Sequence, residues 1–368
     1  MNIGGASIHV VNLSRGLKDA YDTILVCGQI EPHEMDMSYY AIQNNVDIHV
    51  LNKMGRELSL FNDLKAFWQL YKFIKKEKPH IVHTHTAKAG TLGRLAAFFA
   101  GVPYIFHTFH GNIFKGYFSK KKTMIFIFIE KIISLITTKI ITLSEKQKQE
   151  IIDLKITKAE KIEVIRLGFD FSNILGNDMY KGLFRTEHNV PEDALLVASI
   201  GRITHIKNHK LLLDIAEKFN EHNIYFAIIG DGDLKEEIQK DIYNKKLERK
   251  VFITGFYKDL KPIYTDVDVV LLTSFNEGTP VALIEAMANG KIAISTNVGG
   301  VSDFIENGVN GFFVDGFNSE SFVDIIFDIY INNINIDKIS ENAKFTANEF
   351  FNIDSLVKNI ENLYKKFL

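Results

Sequence analysis

Short apolar runs alternate with segments of helical period along nearly the whole chain, and this alternation restricts the fold more than any other feature. Residues 22–27, 47–51, 80–83, 103–107 and 139–143 have strand character. Residues 60–76, 87–101 and 120–137 have helical period. Ser144 with Gln147 forms a capping-box pattern and opens a further helix. Strands separated by helices at this spacing are predicted to lie parallel in a sheet covered on both faces.

After Gly168 the pattern breaks into a polar, irregular stretch to about Asp193, which reads as an interdomain linker. Alternation then restarts, with strands at 195–201, 224–229, 251–255, 268–272, 292–295 and 311–314. Helices are expected at 207–220, at 319–332 and from 337 to the end. At 368 residues the chain exceeds one typical core. Two Rossmann-like α/β domains are therefore expected, 1–170 and 171–349, with a last helix at 350–368 packing back on the first. Residues 2–9 read as a glycine turn, Gly4-Gly5, entering a helix at about 7–19, the connection that normally follows a first strand. Only Met1 precedes it, so a first strand near the sheet centre is expected to be missing.

Hydrophobic residues at 46% with 24% charged fit a globular protein. A net charge of -2 gives no electrostatic case for nucleic acid. Cys27 is the only cysteine, which excludes an intrachain disulfide and fits a reducing compartment. No uninterrupted apolar run reaches the roughly 20 residues needed to span a bilayer.

Two stretches of the second half carry chemistry. The strand at 268–272 runs into a polar loop with Glu277 and Gly278; Thr279-Pro280 then opens a helix that Gly290 closes. That helix is apolar all round except at Glu285, a carboxylate where unpaired charge is costly. Glu277 stands at the helix mouth, where free N–H groups and the dipole favour an anion. Two readings fit. One is a nucleotide sugar, with phosphate at the helix mouth and the carboxylates toward a ribose and a second polyhydroxy group. The other pairs Glu285 with a core Lys or Arg and leaves Glu277 a solvated loop charge. The second stretch is 199–208, where Gly201 permits a sharp turn at a strand end. Arg202 and Lys207, at the strand exit and the next helix start, are placed to clamp a diphosphate.

Gly201-Arg202 with Lys207, followed by Glu277-Gly-Thr-Pro-Val-Ala-Leu-Ile-Glu285, resembles glycosyltransferase family 4, retaining sugar transferases of the GT-B fold. Residues 2–9, 82–90 and 107–111 resemble members that build bacterial surface polysaccharides, so the likeness covers essentially the whole chain. It implies two Rossmann-like domains facing across a cleft. It implies transfer of a sugar from a nucleoside diphosphate sugar, UDP-sugar favoured, to a hydroxyl of a glycan or lipid-linked glycan acceptor. By the same likeness Glu285 would accept the ribose hydroxyls and Glu277 would face the donor sugar. Arg202 and Lys207 would hold the diphosphate, helped by backbone groups around Gly278, Thr279, Pro280 and Val281. Gly4 and Gly5 would approach the donor phosphate or the acceptor with bare backbone, and His110 would hydrogen-bond the donor sugar. His85 and Lys88 fall on the acceptor side. No metal or other cofactor is expected, and the site of action would be the cytoplasm or the inner face of its membrane.

His83, His85, His107 and His110 look like metal ligands on paper. The two pairs leave separate strands, however, and no carboxylate pattern completes a site. His85 and His110 are expected at the carboxyl ends of strands, facing the ligand cleft, and His83 and His107 within the sheet. Residues 114–129, basic then apolar, fit either a peripheral membrane contact or a helix packed on the sheet. Glu130-Lys131 interrupts the apolar run and favours the latter. Two other functions suit the same architecture: a nucleotide-sugar epimerase, which needs acid/base side chains in the cleft, and a non-catalytic nucleotide-sugar binder.

Overall fold

The computed structural model describes residues 5–30, 36–55, 59–110 and 120–368. The chain divides into two compact units, residues 1–169 with 351–368 and residues 170–350.

In the first unit α1 (Gly5–Leu17) precedes β1 (Leu25–Gly28), α2 (Ser38–Gln43) and β2 (Ile48–Leu51). Next come α3 (Leu60–Glu77), β3 (Ile81–His85), α4 (Ala87–Ala100) and β4 (Tyr104–Thr108). The series ends with α5 (Lys120–Leu135), β5 (Lys139–Thr142), α6 (Glu145–Asp153) and β6 (Ile162–Val164). All pairings are parallel and form two sheets, β1-β2 and β3-β4-β5-β6. Among the described residues no strand joins β1 to β3. Gly5 belongs to the first turn of α1 rather than to a turn before it, and Gly4 lies outside the described residues. The capping signal at α6 is realised: Ser144 Oγ accepts from the Gln147 N–H at 3.1 Å. The Gln147 side chain reaches back to the Leu143 N–H at 2.9 Å.

The second unit holds α7 (Leu183–Glu187), β7 (Leu195–Ile200), α8 (His209–Glu217) and β8 (Ile224–Ile229). It continues with α9 (Lys235–Asn244), β9 (Val251–Gly255), α10 (Lys261–Asp266) and β10 (Val269–Leu272). It closes with α11 (Val281–Ala288), β11 (Ile292–Thr296), β12 (Phe312–Val314), α12 (Ser319–Tyr330) and α13 (Ile336–Phe350). The six strands form one parallel sheet in the order β12-β11-β10-β7-β8-β9. Buried Ile, Leu, Val and Phe from the strands and from α8, α9 and α12 form an apolar cluster on the sheet. Nearly continuous apolar strands are what a sheet covered on both faces requires.

Two expectations are corrected. The helix expected from 337 to the end is two helices, α13 and α14 (Ile353–Lys365), because Asn352 accepts from the Asp354 N–H at 2.8 Å and starts a new helix. α14 sets Leu356, Ile360 and Leu363 against Leu13 and Leu17 of α1 and Phe106 of β4. The polar stretch before Asp193 is not a free linker. The buried Asp266 carboxylate accepts from the N–H groups of Gly182, Phe184 and Arg185 at 2.6, 2.8 and 3.1 Å, which seats α7 on α10. α5 packs on the sheet, the reading that Glu130-Lys131 favours, and Glu130 itself belongs to the packed face. It faces inward with Ile133 and Ser134, and both its oxygens accept from the buried Arg94 guanidinium of α4 at 2.8 Å. Phe126 and Ile127 pack on the same side against Phe109, Ile140 and Ile151. The opposite face leaves Met124, Ile125, Phe128, Ile132 and Leu135 exposed.

Candidate active site

Connections in the second sheet diverge at β7, running through β8 and β9 on one side and through β10, β11 and β12 on the other. Open α/β sheets bind ligands outside the carboxyl ends of the strands at such a switch point. Here the loops are 201–208 after β7 and 273–280 after β10. They are joined: the Phe275 N–H donates to the Ile206 carbonyl at 2.8 Å. The Thr273 hydroxyl is 3.0 Å from each of the Lys207 and Asn208 carbonyls. Lys207 lies in a short 3-10 turn (His205–Lys207) rather than at the start of α8, because Asn208 turns the chain with a φ of 49°.

That backbone clamp aims the Lys207 ammonium at Glu277, 2.7 Å from its Oε1. The Ser274 hydroxyl donates to the same oxygen at 2.6 Å. Gly201 has a φ of 150°, and a Cβ there would lie 3.3 Å from Lys207 Cε. Glycine therefore lets the lysine stem lie against the strand end. Arg202 is exposed on the same edge, with no ion pair among the described residues.

α11 begins one residue later than the sequence suggests, with Pro280 as its N-cap and no side-chain cap. Thr279 does not cap it; its buried hydroxyl has no hydrogen-bond partner among the described residues. An uncapped helix mouth beside an orphaned hydroxyl is suited to an oxyanion. The turn is propped from behind by a residue pair that sequence reasoning passed over. A Cβ on Gly299, whose φ is 59°, would fall 2.1 Å from the Glu277 carbonyl. The Gly300 N–H donates to the Gly278 carbonyl at 3.1 Å.

Glu285, 9% exposed in the body of α11, pairs with no core cation among the described residues. Its Oε2 accepts from the Tyr264 hydroxyl at 2.8 Å. Burial pushes its carboxyl up to about 7, against the partial relief of that hydrogen bond. Tyr264 moves well above its usual range, through burial first and the Glu285 charge second.

In the first unit His85 ends β3 and His110 follows β4, and their rings meet, with Nδ1 of the first 2.9 Å from Nε2 of the second. His83 is held by the Tyr364 hydroxyl at 2.6 Å and Thr108 Oγ1 at 2.7 Å. His107 is fully buried against Thr84 Oγ1 at 2.9 Å. Lys88, in the first turn of α4, forms an ion pair with Asp63 of α3. The residue that sequence reasoning missed is His9 of α1, 2% exposed, whose ring centroid is 4.8 Å from that of His110. Burial lowers all five histidines, His110 to about 4 and His83 to about 3.

Known proteins match both units. The family model for Glycosyltransferase Family 4 matches residues 3–173, and that for Glycosyl transferases group 1 matches residues 181–346. The chain is 28% identical to the UDP-Gal:alpha-D-GlcNAc-diphosphoundecaprenol alpha-1,3-galactosyltransferase of Escherichia coli, over 94% of this chain and 89% of that protein. It is 26% identical to the capsular polysaccharide biosynthesis glycosyltransferase CapM of Staphylococcus aureus, over 98% of this chain and 97% of that one. Among solved structures, Anabaena HepE in complex with UDP-glucose superposes with a TM-score of 0.85 at 19% identity, covering 99% of this chain and 97% of that one. The chain is thus a glycosyltransferase of the GT-B fold, with a family 4 domain in its amino half and a group 1 domain in its carboxyl half.

Proposed function

We propose that the protein transfers a sugar from a UDP-sugar to a hydroxyl of a glycan or lipid-linked glycan, with retention at the anomeric carbon, in polysaccharide synthesis. The observation that carries this reading is the joined loop pair at the switch point, where Lys207, Glu277 and the uncapped mouth of α11 share one edge of the sheet. As the bond to the anomeric carbon breaks, negative charge grows on the departing diphosphate. Arg202, Lys207 and the helix mouth are preorganised to receive it, so the transfer needs no metal. Glu277 orients the donor sugar, Glu285 accepts the ribose hydroxyls and His110 donates to the sugar near the reacting carbon. The leaving phosphate takes the acceptor proton on the same face. His85 and Lys88 belong to the acceptor side, and by the likeness to family 4 Gly5 would approach the donor phosphate or the acceptor with bare backbone. The likeness to family 4 supports retention, and the name of the E. coli relative supports a UDP-sugar and a diphosphate-lipid acceptor.

Incubation of UDP-sugars with and without a diphosphoundecaprenol-linked acceptor tests this. The expected product is a glycoside whose anomeric configuration matches the donor, seen by nuclear magnetic resonance. An isomerised sugar formed without acceptor would overturn it in favour of an epimerase, and tight donor binding without turnover in favour of a binder.

Acceptors on lipid place the work at a membrane, and we assign the contact to α5, on the cytoplasmic side. No described helix is long and apolar enough to cross a membrane. The outward face of α5 sets exposed Met124, Ile125 and Phe128 beside exposed Lys121 and Lys122, a pattern that suits an anionic lipid surface. Co-sedimentation with phosphatidylglycerol vesicles is expected, and not with phosphatidylcholine. At about 1 kcal/mol per lysine, reversal of both to glutamate should weaken it at least tenfold. Equal retention by both vesicle types would remove the contact.

A further inference from the structure

His9 enters the histidine cluster from α1, a helix that shares no strand with His85 or His110, and the three rings converge. Their centroids are 5.6 Å apart for His9 and His85, 4.8 Å for His9 and His110, and 5.1 Å for His85 and His110. Three imidazoles bound tetrahedrally to one ion at about 2.1 Å would set their centroids roughly 5 Å apart. One ring nitrogen from each residue already lies within 4.8 Å of the other two. The chemistry of the donors agrees with the spacing. His9 is buried and neither of its ring nitrogens has a hydrogen-bond partner among the described residues. Buried polar atoms are satisfied in the great majority of cases, so an orphaned imidazole facing two others asks for a ligand. Burial holds all three rings neutral, the form that binds metal.

We propose that His9, His85 and His110 form a binding site for a divalent transition-metal cation of the zinc class. Imidazole donors select zinc, nickel or copper over magnesium and calcium. His83 stacks on His85 at 4.4 Å, and its own nitrogens are taken by Tyr364 and Thr108, so it steadies the site without joining it. Three protein ligands leave a fourth position for water or an anionic group. An ion there occupies His110, the residue assigned above to the donor sugar, so the metal acts as a reversible inhibitor rather than a cofactor. This last clause rests on the proposed transfer; the binding itself does not.

Equilibrium dialysis of the full chain against zinc, with metal measured by mass spectrometry, tests the site. About one zinc per chain is expected at micromolar or lower free metal, with no uptake of magnesium. Cobalt in place of zinc should give the intense visible bands of a tetrahedral site. His9→Gln and His110→Gln, made separately and checked for folding by circular dichroism, should each lower affinity at least about a hundredfold, since loss of a residue that merely supports a ligand already costs about ten- to a hundredfold. Exposed His49→Gln should bind as the parent does. Failure to bind zinc, equal uptake of magnesium, or unchanged binding in both folded cluster variants would overturn the site. If zinc binds as described but leaves transfer untouched, the site stands and the assignment of His110 to the donor falls.

Discussion

Lys207→Ala is expected to lower turnover about a hundred- to thousandfold, the 2.7–4 kcal/mol typical of losing one preorganised charge donor. The loss should fall mainly on kcat, because the leaving diphosphate carries more negative charge in the transition state than in the bound donor. The fold should survive. The contacts that secure this turn run through the Lys207 and Asn208 carbonyls to Thr273, and alanine keeps both. Glu277 would lose its cation but keep the Ser274 hydroxyl at 2.6 Å. A thermal midpoint within a few degrees of the parent, together with the kcat loss, is therefore the expected pair of results. Turnover near the parent's would remove the diphosphate from this edge of the sheet.

Much of this site was open to inspection in the linear chain, and the reason is physical. Local signals such as apolar strand runs, the glycine after β7 and two glutamates, one at the mouth and one in the body of an apolar helix, operate over a few residues. They placed the parallel sheets and put Lys207 and Glu277 in one half. Their direct contact spans 70 positions and depends on which strands are neighbours. Strand order is a property of the whole sheet. The same distance hid His9, an unremarkable residue of α1 until β3 and β4 bring His85 and His110 to it. Glu130 is different, because its inward direction was recoverable. It shares helical spacing with Phe126, Ile127, Ile133 and Ser134, so what looks like an interruption along the chain is one position of a helix with a packed face and an exposed face. The caps misled for a third reason. Thr279-Pro280 has the composition of a helix start, yet the Thr279 hydroxyl has no partner among the described residues and the helix begins at Val281. A broken local rule is most often found where a ligand completes the structure.

Glu285→Gln should separate stability from function. A carboxyl raised from 4.5 to about 7 by burial makes the native state hold its proton more tightly than the unfolded chain does. Its contribution to stability is whole below about pH 4.5 and is lost as pH rises through about 7, to the extent of about 3 kcal/mol. Glutamine has no charge to bury and still accepts from the Tyr264 hydroxyl. At pH 8 the variant is therefore expected to melt several degrees above the parent, and below pH 4.5 the difference should vanish. Donor binding should move the other way. Two ribose hydroxyls donating to a carboxylate contribute about 1.5–3 kcal/mol each, so the variant should bind UDP at least tenfold more weakly. In the parent, UDP affinity should rise with pH through about 7, as the carboxylate forms, and that dependence should be absent in the variant. Paired melting curves and UDP titrations across pH 4.5–8 give both readings on the same two proteins. A variant less stable than the parent at pH 8 would show that the carboxylate is held by the fold rather than reserved for a ligand.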